Sequence, residues 1–195
     1  MSNPANPGLA ILTTVLEEFK DRLSIDGSSR ILLTDATVAK HLVALTRDIS
    51  TPYGPTFTIA TAEPGAATSP GEQEDLGPNV EVKQIADLTG KMDHFTHALT
   101  DVSRASGKTC MEIMKWAKYA LQPKGILVVV ALKRTEAEGD FVERMQGQSK
   151  GRVSSLGDVL EWAGFERGKV RSMTRGEGAG EAEVVLAMKW DQLTA

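Results

Sequence analysis

Hydrophobic and polar positions follow one another along this chain in two patterns, which predict helices and strands in turn. Residues 9–23 and residues 108–121 place their apolar side chains on one face of a helix. Residues 126–132 form a wholly apolar run, which is typical of a strand buried on both faces of a parallel sheet. Residues 122–125, between this helix and this strand, contain a proline and a glycine that end the helix. The segment therefore predicts half of a strand–helix–strand unit.

The remaining patterns extend this unit into one sheet. Further helices are predicted at residues 38–48 and 154–163, the first with Thr37 as its N-cap. Further strands are predicted at residues 30–34, 56–62, 80–85, 95–99, 165–173 and 182–190. The last two strands flank a glycine-rich turn and predict a terminal hairpin. The order predicts an α/β fold: a three-layer, doubly wound, mostly parallel sheet with a C-terminal antiparallel hairpin.

The predicted domain organisation follows from the same segments. Residues 1–8 are predicted to be a flexible N-terminus, and residues 9–195 a single domain, since 195 residues suffice for one sizeable core. Residues 64–79 are rich in proline, glycine, serine and acidic residues, which predicts a mobile loop at the ligand edge of the sheet. Residues 134–153 are polar and charged, and they predict an insertion that includes a short helix or a lid.

Composition narrows the classes of function. The net charge of −4 supplies no electrostatic reason to expect nucleic acid as a partner. The chain has neither an apolar run of membrane-spanning length nor the pattern of a signal peptide, so we expect no membrane partner and a cytoplasmic location. The single cysteine, Cys110, excludes an internal disulfide and a cysteine-rich zinc site. Its helical spacing to apolar neighbours favours a buried, inert thiol over a nucleophile.

Two of the three histidines, His94 and His97, lie three residues apart. In a strand their imidazoles would point to opposite faces and could not bind one metal ion, whereas in a turn they could. No carboxylate spacing that would complete such a site accompanies them. No metal site is therefore predicted.

Two segments of the C-terminal half resemble the class I S-adenosylmethionine-dependent methyltransferase family. Residues 120–129 (ALQPKGILVV) are similar to the family's L-x-P-G-G segment, in which a helix leads into the fifth strand. Residues 160–165 (LEWAGF) are similar to its A-G-F segment, which precedes the sixth strand. The resemblance implies a seven-stranded sheet whose last strand is inserted antiparallel.

The resemblance also places a cofactor loop after the first strand. In the family this strand ends in an acid, followed by glycines at alternate positions that let the backbone approach S-adenosylmethionine. Asp35 corresponds to the acid, and Thr37, Ala39 and His41 stand at the three glycine positions. A Cβ atom at each position restricts the backbone and predicts that side chains crowd the cofactor. His41 is expected to fill this pocket or to cap it.

The resemblance implies further site residues at the ends of the next strands. Glu63 stands where the family binds the ribose hydroxyls, and Asp87 where it often has an acid near the adenine amine. His97 and Asp101 flank the end of the fourth strand, where the family keeps substrate-facing polar residues, and they are candidate acid/base groups. The cofactor-binding candidates are thus Asp35, Thr37, Glu63 and Asp87. A surface turn is the alternative interpretation for the histidine and its neighbours.

Three hypotheses for the function follow. The first is a methyltransferase-like protein with impaired or lost S-adenosylmethionine binding. It would act as a non-methylating partner or scaffold subunit, with a homodimer as one arrangement, or as a cofactor-independent small-molecule enzyme. The alternative is an active S-adenosylmethionine-dependent methyltransferase on a small molecule. The third, a nicotinamide- or flavin-binding domain, also requires a glycine turn after the first strand, which this chain lacks. The expected partner is a small molecule or a protein.

Overall fold

The computed structural model describes residues 7–49, 54–61, 76–88, 90–135, 139–149 and 153–190. Within these ranges the α-helices are α1 Pro7–Leu23, α2 Ala36–Leu45, α3 Gly107–Ala120, α4 Phe141–Ser149 and α5 Leu156–Trp162. The strands are β1 Arg30–Leu33, β2 Thr56–Thr61, β3 Val80–Gln84, β4 Phe95–Asp101, β5 Leu121–Leu132, β6 Arg134–Thr135, β7 Gly139–Asp140, β8 Val170–Arg175 and β9 Ala182–Met188. No helix in the described part of the chain is both long and apolar enough to span a bilayer.

Seven of these strands form one sheet in the order β3-β2-β1-β4-β5-β9-β8. The first five strands of the chain pair in parallel, whereas β9 runs antiparallel to both β5 and β8. The predicted fold class is confirmed, including the C-terminal hairpin of β8 and β9. The strand order reverses between β1 and β4, which is where an open α/β sheet forms a crevice at its carboxyl edge.

Two hydrophobic cores lie on opposite faces of the sheet. One core contains side chains of α1 and α2, and the other contains side chains of α3, α4 and α5. The apolar run of β5 contributes to both cores, because successive side chains of a strand point to opposite faces. Val129 belongs to one core and Val130 to the other. The predicted three-layer arrangement is thereby confirmed.

The helix after β1 begins earlier than predicted. Asp35, and not Thr37, is the N-cap of α2, and its side chain accepts a hydrogen bond from the backbone N–H of Thr37 at 2.7 Å. A carboxylate at this position also interacts favourably with the positive end of the helix dipole. As a result only Thr34 and Asp35 separate β1 from α2. This short connection determines which side chains face the carboxyl edge of the sheet.

The predicted stop between the helix at 108–121 and the following strand is absent as a separate turn. Helix α3 ends at Ala120, and β5 begins at once with Leu121, so that the Pro-Lys-Gly segment lies inside the strand. Lys124 takes a positive φ of 66° there, and a Cβ at Gly125 would lie 2.8 Å from the carbonyl oxygen of Gln122. Glycine is therefore required at 125 by a close backbone approach.

The polar segment at 134–153 forms ordered structure where it is described. Strands β6 and β7 pair antiparallel, and α4 buries Phe141 and Met145 in the same core as α3. Arg144 of α4 donates to the carbonyl oxygens of Ser103 and Ala105, at 2.9 Å and 3.0 Å. The described part of the insertion is thus attached to the connection between β4 and α3.

Two predicted flexible segments lie largely outside the described residues. In the predicted N-terminal segment, residues 1–6 lie outside the described residues, whereas Pro7 and Gly8 are the first residues of α1. In the predicted loop at 64–79, residues 64–75 lie outside the described residues, whereas Leu76 is buried in the core beside α1 and α2. The predicted strand at 165–173 begins only at Val170, after a 3₁₀ turn.

Candidate functional site

A cavity of about 700 Å³ lies at the carboxyl ends of β1, β2, β3 and β4. Its walls are mostly apolar and come from the sheet and from α3; they include Ile59, Val82, Ile85, Ile113 and Trp116. This volume lies within the range of about 300–1,000 Å³ that is usual for small-molecule sites. The cavity opens at the point where the strand order reverses, which is the expected ligand crevice of such a sheet.

The polar floor of the cavity is formed where β1 and β4 end side by side. The hydroxyl groups of Thr34 and Thr100 lie 2.8 Å apart, and either can donate to the other. Both threonines and the next residues of the connection, Asp35 and Ala36, line the cavity. The link between β1 and α2 therefore lines the cavity with residues that carry a Cβ atom, and it contains no glycine.

The three residues at the presumed glycine positions lie elsewhere. Thr37, Ala39 and His41 are absent from the cavity wall. Ala39 is completely buried in the core between α2 and the sheet, and His41 lies 3.4 Å from a carboxylate oxygen of Glu17 on α1. The prediction that these side chains crowd the cavity is wrong, because α2 begins at Ala36 and already turns them away from it.

Asp101 lines the cavity at the end of β4. One of its carboxylate oxygens accepts hydrogen bonds from the backbone N–H and the hydroxyl of Ser103, the former at 2.9 Å. The first turn of α1 packs directly against this carboxylate, since a Cβ at Gly8 would lie 2.8 Å from its Cγ atom. Asp101 is therefore held in one position by Ser103 and by the start of α1.

His97 lies in the middle of the sheet and not at the cavity. It is 6% exposed, its Nδ1 atom lies 2.8 Å from the hydroxyl of Thr96, and its Nε2 atom lies 2.8 Å from the carbonyl oxygen of Leu23. Because a carbonyl oxygen only accepts, Nε2 carries the proton. Burial lowers the pKa of His97 below its ordinary value of 6.5, so the ring is neutral at pH 7.

The structure does not bring His97 and Asp101 together as an acid/base pair. They are four residues apart on β4, which corresponds to about 13 Å along an extended strand. His97 contacts the last residue of α1, Leu23, whereas Asp101 contacts the first turn of the same helix. Of the two catalytic candidates, only Asp101 faces the cavity.

The other predicted site residues have different positions. Glu63 lies outside the described residues. Asp87 is exposed in the 3₁₀ turn after β3, and Ile85 of that turn lines the cavity in its place. Among the described residues, no group of three histidine, cysteine or acidic side chains is close enough together to hold a metal ion. Burial raises the pKa of Cys110 to about 12, so this thiol stays protonated at neutral pH and is a poor nucleophile.

The lining residues that were not predicted from the sequence include Thr34, Thr109, Glu112 and Trp116. The last three lie on α3 at positions 109, 112 and 116, spacings of three and four that put them on one face of the helix. The indole Nε1 of Trp116 is buried and has no hydrogen-bond partner among the described residues. The available signal was that α3 follows β4 directly, so its first turns lie beside the carboxyl edge of the sheet.

The charge of the cavity wall is one-sided. The described residues of the lining include three acids, Asp35, Asp101 and Glu112, and no lysine, arginine or histidine. Glu112 has Lys108 at 3.9 Å, but both side chains are mostly exposed, so water screens this pair. The ionisable side chains that the described wall presents to a ligand are therefore all acidic.

Comparison with solved structures identifies the architecture. A SAM-dependent methyltransferase from Aquifex aeolicus is 18% identical, with a TM-score of 0.59 over 96% of this chain and 94% of that chain. The chain has the class I methyltransferase fold. Within this fold, the 1,6-didemethyltoxoflavin-N1-methyltransferase from Burkholderia thailandensis, solved with S-adenosylhomocysteine bound, is 16% identical, with a TM-score of 0.60 over 94% of this chain and 79% of that chain.

The fold of this chain is also similar to that of a protein named as a cyclase and not as a methyltransferase. The 4+2 cyclase SpnF is 15% identical, with a TM-score of 0.61 over 91% of this chain and 80% of that chain. No protein-family model matches the sequence, and no curated protein sequence matches it. At these identities the structural likeness establishes the fold, and the function has to be argued from the site.

Proposed function

We propose that this protein binds a small molecule in the cavity at the carboxyl edge of its sheet and does not carry out ordinary S-adenosylmethionine-dependent methyl transfer. The observation that carries the proposal is the connection between β1 and α2. It consists of Thr34 and Asp35, it contains no glycine, and both of its residues line the cavity together with Ala36. The protein then acts as a cofactor-independent small-molecule enzyme or as a non-methylating partner subunit.

The residues present fit S-adenosylmethionine poorly at its amino-acid end. That end is zwitterionic: its ammonium group can pair with an acid, but its carboxylate needs a cation or free backbone N–H groups. The described lining offers no basic side chain, and the carboxylate of Asp35 already occupies the N–H of Thr37. Loss or weakening of cofactor binding follows from this arrangement.

The cavity favours a small-molecule role over a purely structural one. A domain that served only as a scaffold would gain stability by filling this space, because packed interiors have few voids larger than a water molecule. Here about 700 Å³ stays open beside Thr100 and Asp101. One of the similar structures is named as a cyclase and not as a methyltransferase. This likeness supports a reaction other than methyl transfer as one candidate for this fold.

A second candidate is an active methyltransferase acting on a small molecule. The open volume favours it, since Thr37, Ala39 and His41 do not obstruct the cavity. Asp35 also remains at the end of β1, where the family has its acid. The two candidates differ in one measurable property, which is the affinity for S-adenosylmethionine.

Calorimetric titration with S-adenosylmethionine and S-adenosylhomocysteine separates the candidates. Ala36→Trp enlarges a residue of the cavity wall in the first turn of α2, and Lys40→Trp makes the same enlargement at an exposed position of that helix as the matched control. We expect no saturable heat with either nucleoside up to millimolar concentration. Micromolar binding that Ala36→Trp abolishes and Lys40→Trp retains would instead establish the second candidate.

A further inference from the structure

The chemistry of the cavity wall indicates which class of molecule it accepts. Asp35, Asp101 and Glu112 reach the cavity from three different elements: the link before α2, the end of β4, and α3. The remaining polar side-chain groups of the described wall are threonine hydroxyls and the indole N–H of Trp116, which carry no charge. An anionic ligand would therefore meet carboxylates without meeting a cation, which costs desolvation and repulsion together.

The apolar part of the wall sets a second requirement. Ile59, Val82, Ile85 and Ile113 provide aliphatic surface, and Trp116 provides an aromatic one. Binding of an apolar ligand body against this wall is favourable, because it removes apolar surface of both from water. Tryptophan is also the side chain that attracts cations most strongly through its ring. The aliphatic wall and the acids thus favour different parts of one molecule.

Resting on the proposed function, we propose that the ligand combines an apolar body with a single positive charge, as in a protonated aliphatic or arylalkyl amine. The apolar body lies against the isoleucines and Trp116, and the positive charge lies beside one of the three acids. Carboxylates and phosphates of the same size are rejected. The selectivity is the difference between the affinities for amines and for anions. Repulsion of anions by the acids contributes to it as much as attraction of amines.

Three probes that share a phenylethyl group test the charge preference: 2-phenylethylamine, 2-phenylethanol and 3-phenylpropionate. Binding is measured by the fluorescence of Trp116 in a Trp162→Phe/Trp190→Phe background and by ligand-detected NMR. We expect millimolar binding of the amine, weaker binding of the alcohol, and binding of the carboxylate at least about tenfold weaker than that of the amine. Equal or tighter binding of the carboxylate would overturn the inference.

A charge-neutralised variant locates the preference in the cavity. Asp35→Asn keeps an N-cap for α2, since asparagine caps as well as aspartate, and Glu112→Gln keeps the length of its side chain. The combined variant should bind the amine about three- to tenfold more weakly than the wild type and should bind the alcohol with unchanged affinity. The control is Asp21→Asn/Glu143→Gln, two exposed acids on α1 and α4, which gives the same net charge and should change the amine by less than twofold.

The possible failures of the two proposals are distinguishable. If the alcohol binds, and Ala36→Trp abolishes this binding, but amine and carboxylate bind equally, the charge inference is overturned while small-molecule binding in the cavity stands. If both double variants reduce the affinity for the amine equally, the preference comes from the net charge of the protein and the inference is again overturned. If none of the three probes binds, the inference is overturned, and the nucleoside titration decides the proposed function independently.

Discussion

Single residues of this protein connect the fold to the cavity. Asp35 caps α2 through the N–H of Thr37 and also lines the cavity, and Asp101 is held by Ser103 while facing the same space. A carboxylate fixed in this way keeps its charge in one place, which is what selectivity by electrostatics requires. His97 contributes differently, because both of its ring nitrogens are used inside the sheet.

The state of His97 makes a prediction about pH. Its pKa in the folded protein is lowered by burial below 6.5, so the unfolded chain binds a proton more readily than the folded one. The contribution of His97 to stability is therefore fully present above pH 6.5 and is lost as the pH falls through the folded pKa. We expect the free energy of unfolding in urea to fall between pH 7.5 and pH 5.5 by more in the wild type than in His97→Gln.

The comparison of the two proteins cancels the titration of all other groups. An NMR titration of the His97 ring in the intact wild type measures the same pKa without a substitution. A ring that titrates at or above 6.5, or equal pH dependence of the two proteins, would contradict the buried, neutral state of this histidine.

At the scale of elements, α4 and the β4–α3 connection behave as one unit. Arg144 donates to two carbonyl oxygens of that connection, and its guanidinium lies 5.6 Å from the ring centre of Phe141. The hydroxyl of Ser103 accepts from the N–H of Leu132 as well, so the connection is also tied to β5. The position of Asp101 at the cavity therefore depends on an insertion that lies after β5 in sequence.

This arrangement predicts the effect of Arg144→Met. Methionine keeps most of the apolar contact of the arginine stem but removes both donors, so that the carbonyl oxygens of Ser103 and Ala105 lose these partners. We expect a loss of about 1–3 kcal/mol in the free energy of unfolding. Amide hydrogen exchange in α4 should become faster, whereas the neighbouring exposed substitution Glu143→Gln should change neither quantity. Unchanged exchange in α4 would show that Arg144 does not hold this helix in place.

For the whole molecule, the sheet separates two cores that share its strands. Val129 and Val130 are neighbours on β5 but belong to different cores, and both are completely buried. Strands β1, β2, β4, β5 and β9 each contribute to both cores, so unfolding of one core would disrupt the sheet on which the other core packs. We therefore expect the described structure to unfold as one cooperative unit.

Two alanine substitutions test this cooperativity. Val129→Ala and Val130→Ala each remove buried methyl groups from one core, and each should cost about 2 kcal/mol. In both variants, unfolding followed by tryptophan fluorescence and by far-UV circular dichroism should give one coincident transition with a lower midpoint. Separate transitions in either variant would mean that the two cores unfold independently.

Much of the architecture could be predicted from local patterns. The apolar run at 126–132 predicted a strand buried on both faces, and β5 is such a strand. The boundaries were less predictable where two residues compete for one role. Asp35 and Thr37 are both good N-caps, and the path of the chain leaving β1 favours Asp35, a choice that side-chain preference alone does not make.

The site was predicted in part. Asp35 and Asp101 were expected at the carboxyl edge of the sheet, and both line the cavity there. His97 could not be placed from the sequence, because the alternation along a strand does not say which face a given residue takes without its neighbours. Glu112 and Trp116 were not predicted, because an amphipathic helix has residues at the border of its buried face that suit either a core or a cavity.

The sequence by itself determined the order of helices and strands, the parallel sheet with its terminal hairpin, and the absence of glycine after β1, since these depend on neighbouring residues and short-range sterics. Only the tertiary structure decided that α2 begins at Ala36, that Thr37, Ala39 and His41 do not line the cavity, and that acids from three elements line it. Those features depend on how distant segments pack, and packing brings together residues that no local pattern relates.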